Sequence, residues 1–534
     1  PNVTNPKVAA NMEYLLGMVD IANKRLNGDA TTDYLHSEYA TKYAADTVAA
    51  NDAVRRLIKY DPKFTVITTS DTQSFSFQMS AMGDFKVDWG DGHIETIKRS
   101  DTDQGIYSHT YKTAGKYIIG FGGNATGYST DNNTAAISFA DNGSVAGISG
   151  SLGAIFSTIG DGSGKGHQPR FNNTFYNCIQ LTGDIPENLF AGVTGAPVSY
   201  MFSGTFEGCS NLSGPIPENL FAGISGAPAE GMFEYTFSFC NGLTSIPGNL
   251  FAGISGAPAE NMFSNTFDGC SGLRNIPAGL FAGISGAPAE YMFYETFNSC
   301  DNLSGSIPEN LFGEFSGAPA RYMFHQTFSG CSNLSGSIPE SLFAGISGPP
   351  AEYMFERTFY GCSGLTGPIP ENLFAGISGA PAEYMFYETF NSCSNLSGSI
   401  PGNLFAGISG APARSMFFGT FEGCSNLSGT IPENLFAGIS GAPEQHMFGY
   451  TFYGCTGLSG PIPETLFGDI SGMAQYGMFT YMFAGCTSLM GPSAKINGEY
   501  LYEIWPFATA YQVGGCYSGD TGLDDYADIP ATWK

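Results

Sequence analysis

The chain has 534 residues and a formal net charge of −27; only 13% of its residues are Asp, Glu, Lys or Arg, against 72 Gly, 30 Pro and 43 Phe. That length exceeds one ordinary domain core, and so few charges mean that small residues, aromatics and hydroxyls must fill its volume. The acidity excludes the basic stripe that displaces counterions from nucleic acid and disfavours docking on anionic lipid; no run of about 18 apolar residues offers a membrane span, so no membrane insertion is expected.

Residues 1–60 are expected to be helical. Met12, Leu15, Val19, Ala22 and Leu26 fall on heptad a/d positions, and after Asn27-Gly28 a weaker pattern runs through Ala40, Tyr43, Thr47, Ala50, Val54 and Leu57. Helices this short do not make a stable isolated coiled coil. The segment therefore reads as a hairpin packed on the next domain, or as a stem that anchors the chain and carries a homo-oligomer or assembly contact. Pro1 fits either a cleaved secretion signal or removal of an initiator Met, and no basic segment leads into an apolar run.

Residues 61–123 change to period two, in "FTVITT", "SFSFQMSA", "FKVDWGDG" and "YIIGFGG". Such alternation with tight turns predicts a small β-sandwich. Residues 124–177, rich in Gly, Ser and Asn, are expected to hold an N-terminal cap and the first irregular repeats.

From residue 178 to 490 one unit recurs, seen in full as "IPENLFAGISGAPAEYMFYETFNSCSNLSGS". Cys178, Cys209, Cys240, Cys270, Cys300, Cys331, Cys362, Cys393, Cys424, Cys455, Cys486 and Cys516 are spaced 30 or 31 residues apart, and they are all 12 cysteines of the chain. "NLSGSI" reads as a short strand. "IPEN" and "APAE" read as helix starts with Pro in the first turn, so "LFAGIS" and "APAEYMFYETF" are expected to be short helices. A repeat of that kind must stack on its neighbours. The expected fold class is an α/β solenoid, leucine-rich-repeat-like with ~31-residue repeats, preceded by the sandwich and the helical segment and closed by a C-terminal cap over 491–534.

Two pieces resemble known families. "VDWGDG" with "YSHTYKTAGKY" is similar to the polycystic-kidney-disease (PKD) type of immunoglobulin-like domain, whose structural hallmarks map to Trp89, Gly90, Asp91, Gly92, His109 and Tyr111. The "TFxGCxxL…IP" grammar of the repeats resembles BspA-like leucine-rich-repeat surface proteins, from which the "LFAGISGAP" insert departs. That resemblance implies an extracellular binding or adhesion protein.

Signs of chemistry are sparse. No Cys-x-x-Cys pair suggests a metal site, and identical thiols one repeat apart suit a buried column of free cysteines, which fits folding in a reducing compartment. None of His36, His93, His109, His167, His325 and His446 stands in a metalloprotease spacing. Asp88 and Asp91 are either Ca²⁺ ligands or caps of a tight turn. No catalytic residue, metal or cofactor is expected.

The repeats supply their own comparison. Met-Phe, Thr-Phe, Cys, Leu and Ile-Pro hardly change and should be core, whereas the positions flanking Met-Phe vary and should be solvated. Yet Tyr291, Tyr322, Tyr353 and Tyr384 occupy one such position in four consecutive repeats, with Tyr294 and Tyr387 close by. These six are the candidate ligand-binding residues, a platform for sugar rings or a protein partner; the competing reading is a by-product of repeat duplication. One position earlier, Glu230, Glu260, Glu290, Glu352 and Glu383 form a row broken by Arg321 and Arg414.

The expected function is non-enzymatic recognition or adhesion at an extracellular or cell surface, through a glycan or protein receptor. The alternative is a virion component such as a phage tail or head fibre, favoured by Pro1, the lack of a signal segment and the unpaired thiols. A carbohydrate-active enzyme is a third reading, with no carboxylate pair singled out.

Overall fold

The computed structural model describes residues 60–160 and 168–534; apart from Tyr60, the helical segment expected over 1–60 lies outside the described residues. The described chain begins as two facing sheets. Strands β1 (Lys63–Thr68), β3 (Met82–Asp88), β4 (Ile94–Arg99), β6 (Gly115–Gly127) and β8 (Val145–Ser149) form one sheet in the order β4-β3-β6-β1-β8. Strands β2 (Ser74–Met79), β5 (Gly105–Thr110) and β7 (Ile137–Ser138) form the other in the order β5-β2-β7. The alternation that predicts strands also chooses their inner faces: Phe64 and Val66 on β1, Phe75 and Phe77 on β2. Phe77 meets Phe121 edge-on at 5.0 Å and Trp89 at 5.8 Å, which closes the core between the sheets. The hydroxyl of buried Tyr111 donates to the Trp89 carbonyl at 2.9 Å. Strands β7 and β8 lie beyond residue 123, so the sheets take in chain that the sequence assigns to a cap.

The sandwich runs directly into the repeats. Phe139 stacks on Phe175 at 5.6 Å, and the Phe139 amide bonds to the Thr174 carbonyl at 2.7 Å.

The α/β solenoid expected for the repeats is overturned. Among the described residues the only α-helices are α1 (Leu501–Ile504) and α2 (Ala510–Val513), four residues each and both outside the repeats. Strand in the repeats shrinks to two short parallel pairs, β9 (Gly214–Pro215) with β10 (Leu243–Ser245), and β11 (Ser459–Pro461) with β12 (Ser488–Met490). A hairpin of β13 (Lys495–Ile496) and β14 (Glu499–Tyr500) comes next. Regular structure thus lies mainly in small sheets, and each repeat is a tier of linked turns.

The physical reason is visible in the backbone. A helix sends each N–H to the carbonyl four residues back. Here alternate amides do two other things: Met201, Thr205 and Cys209 bond three residues back, to Val198, Phe202 and Phe206, while Phe202, Gly204 and Phe206 bond forward to Met232, Glu234 and Thr236 of the next tier. Every fourth residue is left-handed, as at Tyr322 (φ 55°), Gln326 (φ 51°) and Gly330 (φ 75°), which no helix admits. The buried set has the same period of four: Met323, Phe324, Thr327, Phe328 and Cys331 all point inward. A helix advances about 400° in four residues, so its stripe would drift by about 40° at each step.

Packing between tiers is mostly phenylalanine on phenylalanine. Phe324 stacks on Phe355 at 5.6 Å, Phe328 on Phe359 at 5.7 Å, and Phe343 on Phe374 at 6.0 Å, in three parallel columns. Rings from different columns meet tilted, as Phe343 and Phe355 do at 4.9 Å and 55°. Such offset contacts are the favoured aromatic geometry.

The cysteines are free and buried. Each thiol from Cys178 to Cys486 points at a phenylalanine carbonyl of the tier before it; for Cys362 and Phe328 the distance is 3.0 Å. Burial pushes the thiols of Cys178 and Cys424 up to about 12, which suppresses thiolate chemistry. Thiol titration of the folded protein should therefore find almost no fast-reacting group, and 12 after denaturation; disulfides in the native protein would contradict this.

Cys516 leaves the column that its spacing suggests. Tyr517 continues the Phe452–Phe483 stack, 5.7 Å from Phe483, and the Cys516 carbonyl takes the Phe483 amide, as Thr451 takes that of Phe421. Cys516 thus takes the position held by Thr451 and then by Met482 in the two preceding tiers. Asp520 takes the cysteine position, 34 residues after Cys486, because the last tier accommodates α1 and α2.

Candidate functional site

The four ladder tyrosines sit at the first left-handed position of successive tiers: φ is 55° at Tyr291, Tyr322 and Tyr384 and 59° at Tyr353. The same position holds Gly231, Asn261, Ser415, His446 and Gly477 in other tiers, also at positive φ. Left-handed backbone favours Gly and Asn and is costly for a bulky residue, about 1–2 kcal/mol. The variation across repeats therefore reflects backbone as well as exposure, a signal that reading the position as merely solvated misses.

What offsets the strain is stacking. Side chains here lean toward the next tier. Where that tier carries Gly the ring lies over it, so a Cβ on Gly231 would fall 2.4 Å from the Tyr200 ring. Where it carries Tyr, ring lies on ring: Tyr291 on Tyr322 at 4.7 Å, Tyr322 on Tyr353 at 4.4 Å, and Tyr353 on Tyr384 at 4.7 Å, all within 15° of parallel. All four rings are half-buried. Their faces cover one another, so the column displays ring edges. Burial and the neighbouring phenols push the Tyr353 hydroxyl up to about 12, so it stays protonated and donates.

Tyr294 and Tyr387 do not join each other. Tyr294 leans on Tyr291 at 5.7 Å and stacks on His325 at 4.5 Å, while Tyr387 leans on Tyr384 at 5.4 Å and stacks on Phe418 at 4.9 Å. Burial raises both phenols; Glu295 adds to the effect at Tyr294, and Glu388 at Tyr387, which reaches about 12. Against them lies a partly buried polar network. His325 Nδ1 is 3.1 Å from Glu356 Oε2, Asn265 donates to Glu295 at 2.9 Å, and Arg357 pairs with Glu388 while its guanidinium lies 5.3 Å from the Tyr387 ring centre.

The charged row borders the column on its other side. Arg321 Nε is 2.9 Å from Glu352 Oε2, and the guanidinium lies 4.9 Å from the Tyr322 ring centre and 5.7 Å from that of Tyr353. Arg414 lies 5.6 Å from the Tyr384 ring centre. Sequence reasoning found the row but missed the shallow groove next to it, because Pro319, Pro350 and Pro381 read as helix starts; they and the alanines after them help to line it.

In the sandwich, Asp88 and Asp91 act as caps. Asp88 Oδ1 accepts from the Gly90 amide and Asp91 Oδ1 from the His93 amide, each at 3.0 Å, and Asp91 Oδ2 lies 2.7 Å from His109 Nε2. Among the described residues no group of three or more His, Cys, Asp or Glu side chains is arranged to hold a metal ion. Among the same residues no helix is long and apolar enough to cross a membrane.

The chain matches no protein-family model, no curated protein sequence and no solved structure.

Proposed function

We propose that this chain is a non-enzymatic recognition protein displayed at an exterior surface, and that the face carrying Tyr291, Tyr322, Tyr353 and Tyr384 holds a protein or glycan receptor. The supporting observation is the column itself: four strained left-handed positions in a row are occupied by tyrosine although neighbouring tiers use Gly, Asn or Ser there. Tyrosine offers rigid contact area with a polar tip. The PKD-type resemblance of residues 61–123 is supported by the two facing sheets and the Tyr111–Trp89 bond, and assigns that region the role of a spacer.

A virion fibre would use the same face. The twelve unpaired, buried thiols favour that route, since they suit folding in a reducing cytosol before display.

The test replaces all four tyrosines by Asn, which tolerates the left-handed backbone. Three ring pairs are lost at about 0.5–1.5 kcal/mol each, and relief of backbone strain of similar size offsets this. The melting temperature should stay within a few degrees while attachment to target cells falls at least about tenfold, roughly 1.4 kcal/mol. A stable variant that attaches normally would refute the assignment.

A further inference from the structure

The groove beside the ladder is lined by Pro350 and Pro381 together with the charged side chains of Glu290, Arg321, Glu352 and Glu383. We infer that it takes a basic segment of a partner protein, whose arginine or lysine side chains lie against the tyrosine column, pair with Glu290 and Glu383, and share Glu352 with Arg321. The inference rests on the reading of the tyrosine face as a recognition surface.

The molecule itself supplies the pose. Arg321 occupies the position that is Glu in the tiers on both sides, and its guanidinium settles near the rings of Tyr322 and Tyr353 while Nε reaches Glu352 of the next tier. Arg414 settles near Tyr384 in the same way. A cation placed between a tyrosine and a carboxylate one tier apart is therefore a geometry this surface accommodates at Arg321, and a cation beside a ladder ring is one it accommodates twice. In the tiers of Glu290, Glu352 and Glu383 the internal cation is replaced by an exposed carboxylate. Glu352 already pairs with Arg321, whereas Glu290 and Glu383 form no ion pair among the described residues, so the open carboxylates for a cation from outside are theirs.

Charge and shape both favour a protein partner. The chain carries a net charge of −27, which draws a basic partner from a distance. The prolines and alanines of the lining suit the aliphatic stems of Arg and Lys. Because the ladder rings cover one another's faces, a sugar ring finds no open platform to stack on, which sets an amino-sugar polymer behind a peptide.

The experiment is a binding titration of a fluorescent oligo-arginine peptide at physiological ionic strength, where diffuse attraction is screened beyond about 8 Å. The variant Glu290→Gln/Glu352→Gln/Glu383→Gln is compared with Glu309→Gln/Glu340→Gln/Glu371→Gln, which removes as much charge from exposed residues that do not line the groove. All six side chains are exposed, so both variants should fold, and circular dichroism verifies this. The groove variant should bind at least about tenfold more weakly and the control within about twofold of the parent. Equal weakening in both would overturn the inference, since the attraction is then diffuse. So would groove-dependent binding of a glucosamine oligomer without groove-dependent binding of the peptide. Should the Asn-substituted ladder lose cell attachment while the groove variant binds the peptide normally, the tyrosine face stands and the groove assignment falls.

Discussion

Phe355→Ala is expected to lower the free energy of unfolding by about 3–5 kcal/mol. Phe355 is 1% exposed and touches four rings: Phe324 and Phe386 in its own column, each at 5.6 Å, and Phe343 and Phe374 at 4.9 and 4.7 Å in the column beside it. Removing it empties a site whose walls cannot collapse, because backbone bonds to both adjacent tiers hold them. Tiers that contact only their neighbours fold as a nearest-neighbour chain, so one weakened interface in the middle should split the stack. Chemical denaturation should then show two transitions where the parent shows one. Phe239→Gly is the matched control: that ring is 51% exposed and its backbone is left-handed at 56°. The control should change stability by less than about 1 kcal/mol. A Phe355→Ala variant as stable as the control would show that the columns do not hold the tiers together.

The second large effect is pH-dependent and centres on Asp520. Its side chain is fully buried, and neither carboxyl oxygen has a side-chain hydrogen-bond partner among the described residues. Burial pushes its carboxyl from 3.8 up to about 8, and the amides of Cys486 and Gly485 offset only part of that. The folded state therefore keeps a proton that the unfolded chain releases near pH 4. Stability contributed by the protonated acid is fully present below about pH 4, is lost as pH rises from 4 towards 8, and levels off once the folded form ionises too. The slope is at most about 1.4 kcal/mol per pH unit. Asp520→Asn removes this titration while keeping the shape. The variant should match the parent at pH 4 and unfold at clearly higher denaturant concentration at pH 8. Parallel curves for the two proteins across that range would refute the assignment.

Core membership was legible because repetition exposes it: Met354, Phe355, Thr358, Phe359, Cys362, Leu365 and Ile369 hardly vary between repeats, and all seven are buried. The local conformation was not. "APAEYMFYETF" carries Pro, Ala and Glu where a helix start wants them, and those propensities are weak compared with the bonds each tier makes to the next. The corrective signal was present in the four-residue spacing of Met, Thr and Cys and in the Gly and Asn that replace Tyr in other tiers. Cys516 misled for another reason. A 30-residue interval matched the grid by coincidence, while the aromatic column, which ring size constrains more tightly, ran on to Tyr517. For the ladder, sequence reasoning located the tyrosines but could not see their covered faces, because the 4.4–4.7 Å separation depends on how the tiers stack.

The amide bonds between tiers have a mechanical consequence. They run along the direction in which the tiers stack, so a pull on the two ends of the chain does not shear many of them at once. It peels the terminal turn, breaking only the bonds of one layer before the next is loaded. Tiers linked this way yield one layer at a time at modest force, and their resistance is set by the weakest layer however many are added. Under a brief pull the stack lengthens in steps of one repeat and can re-zip from the intact remainder.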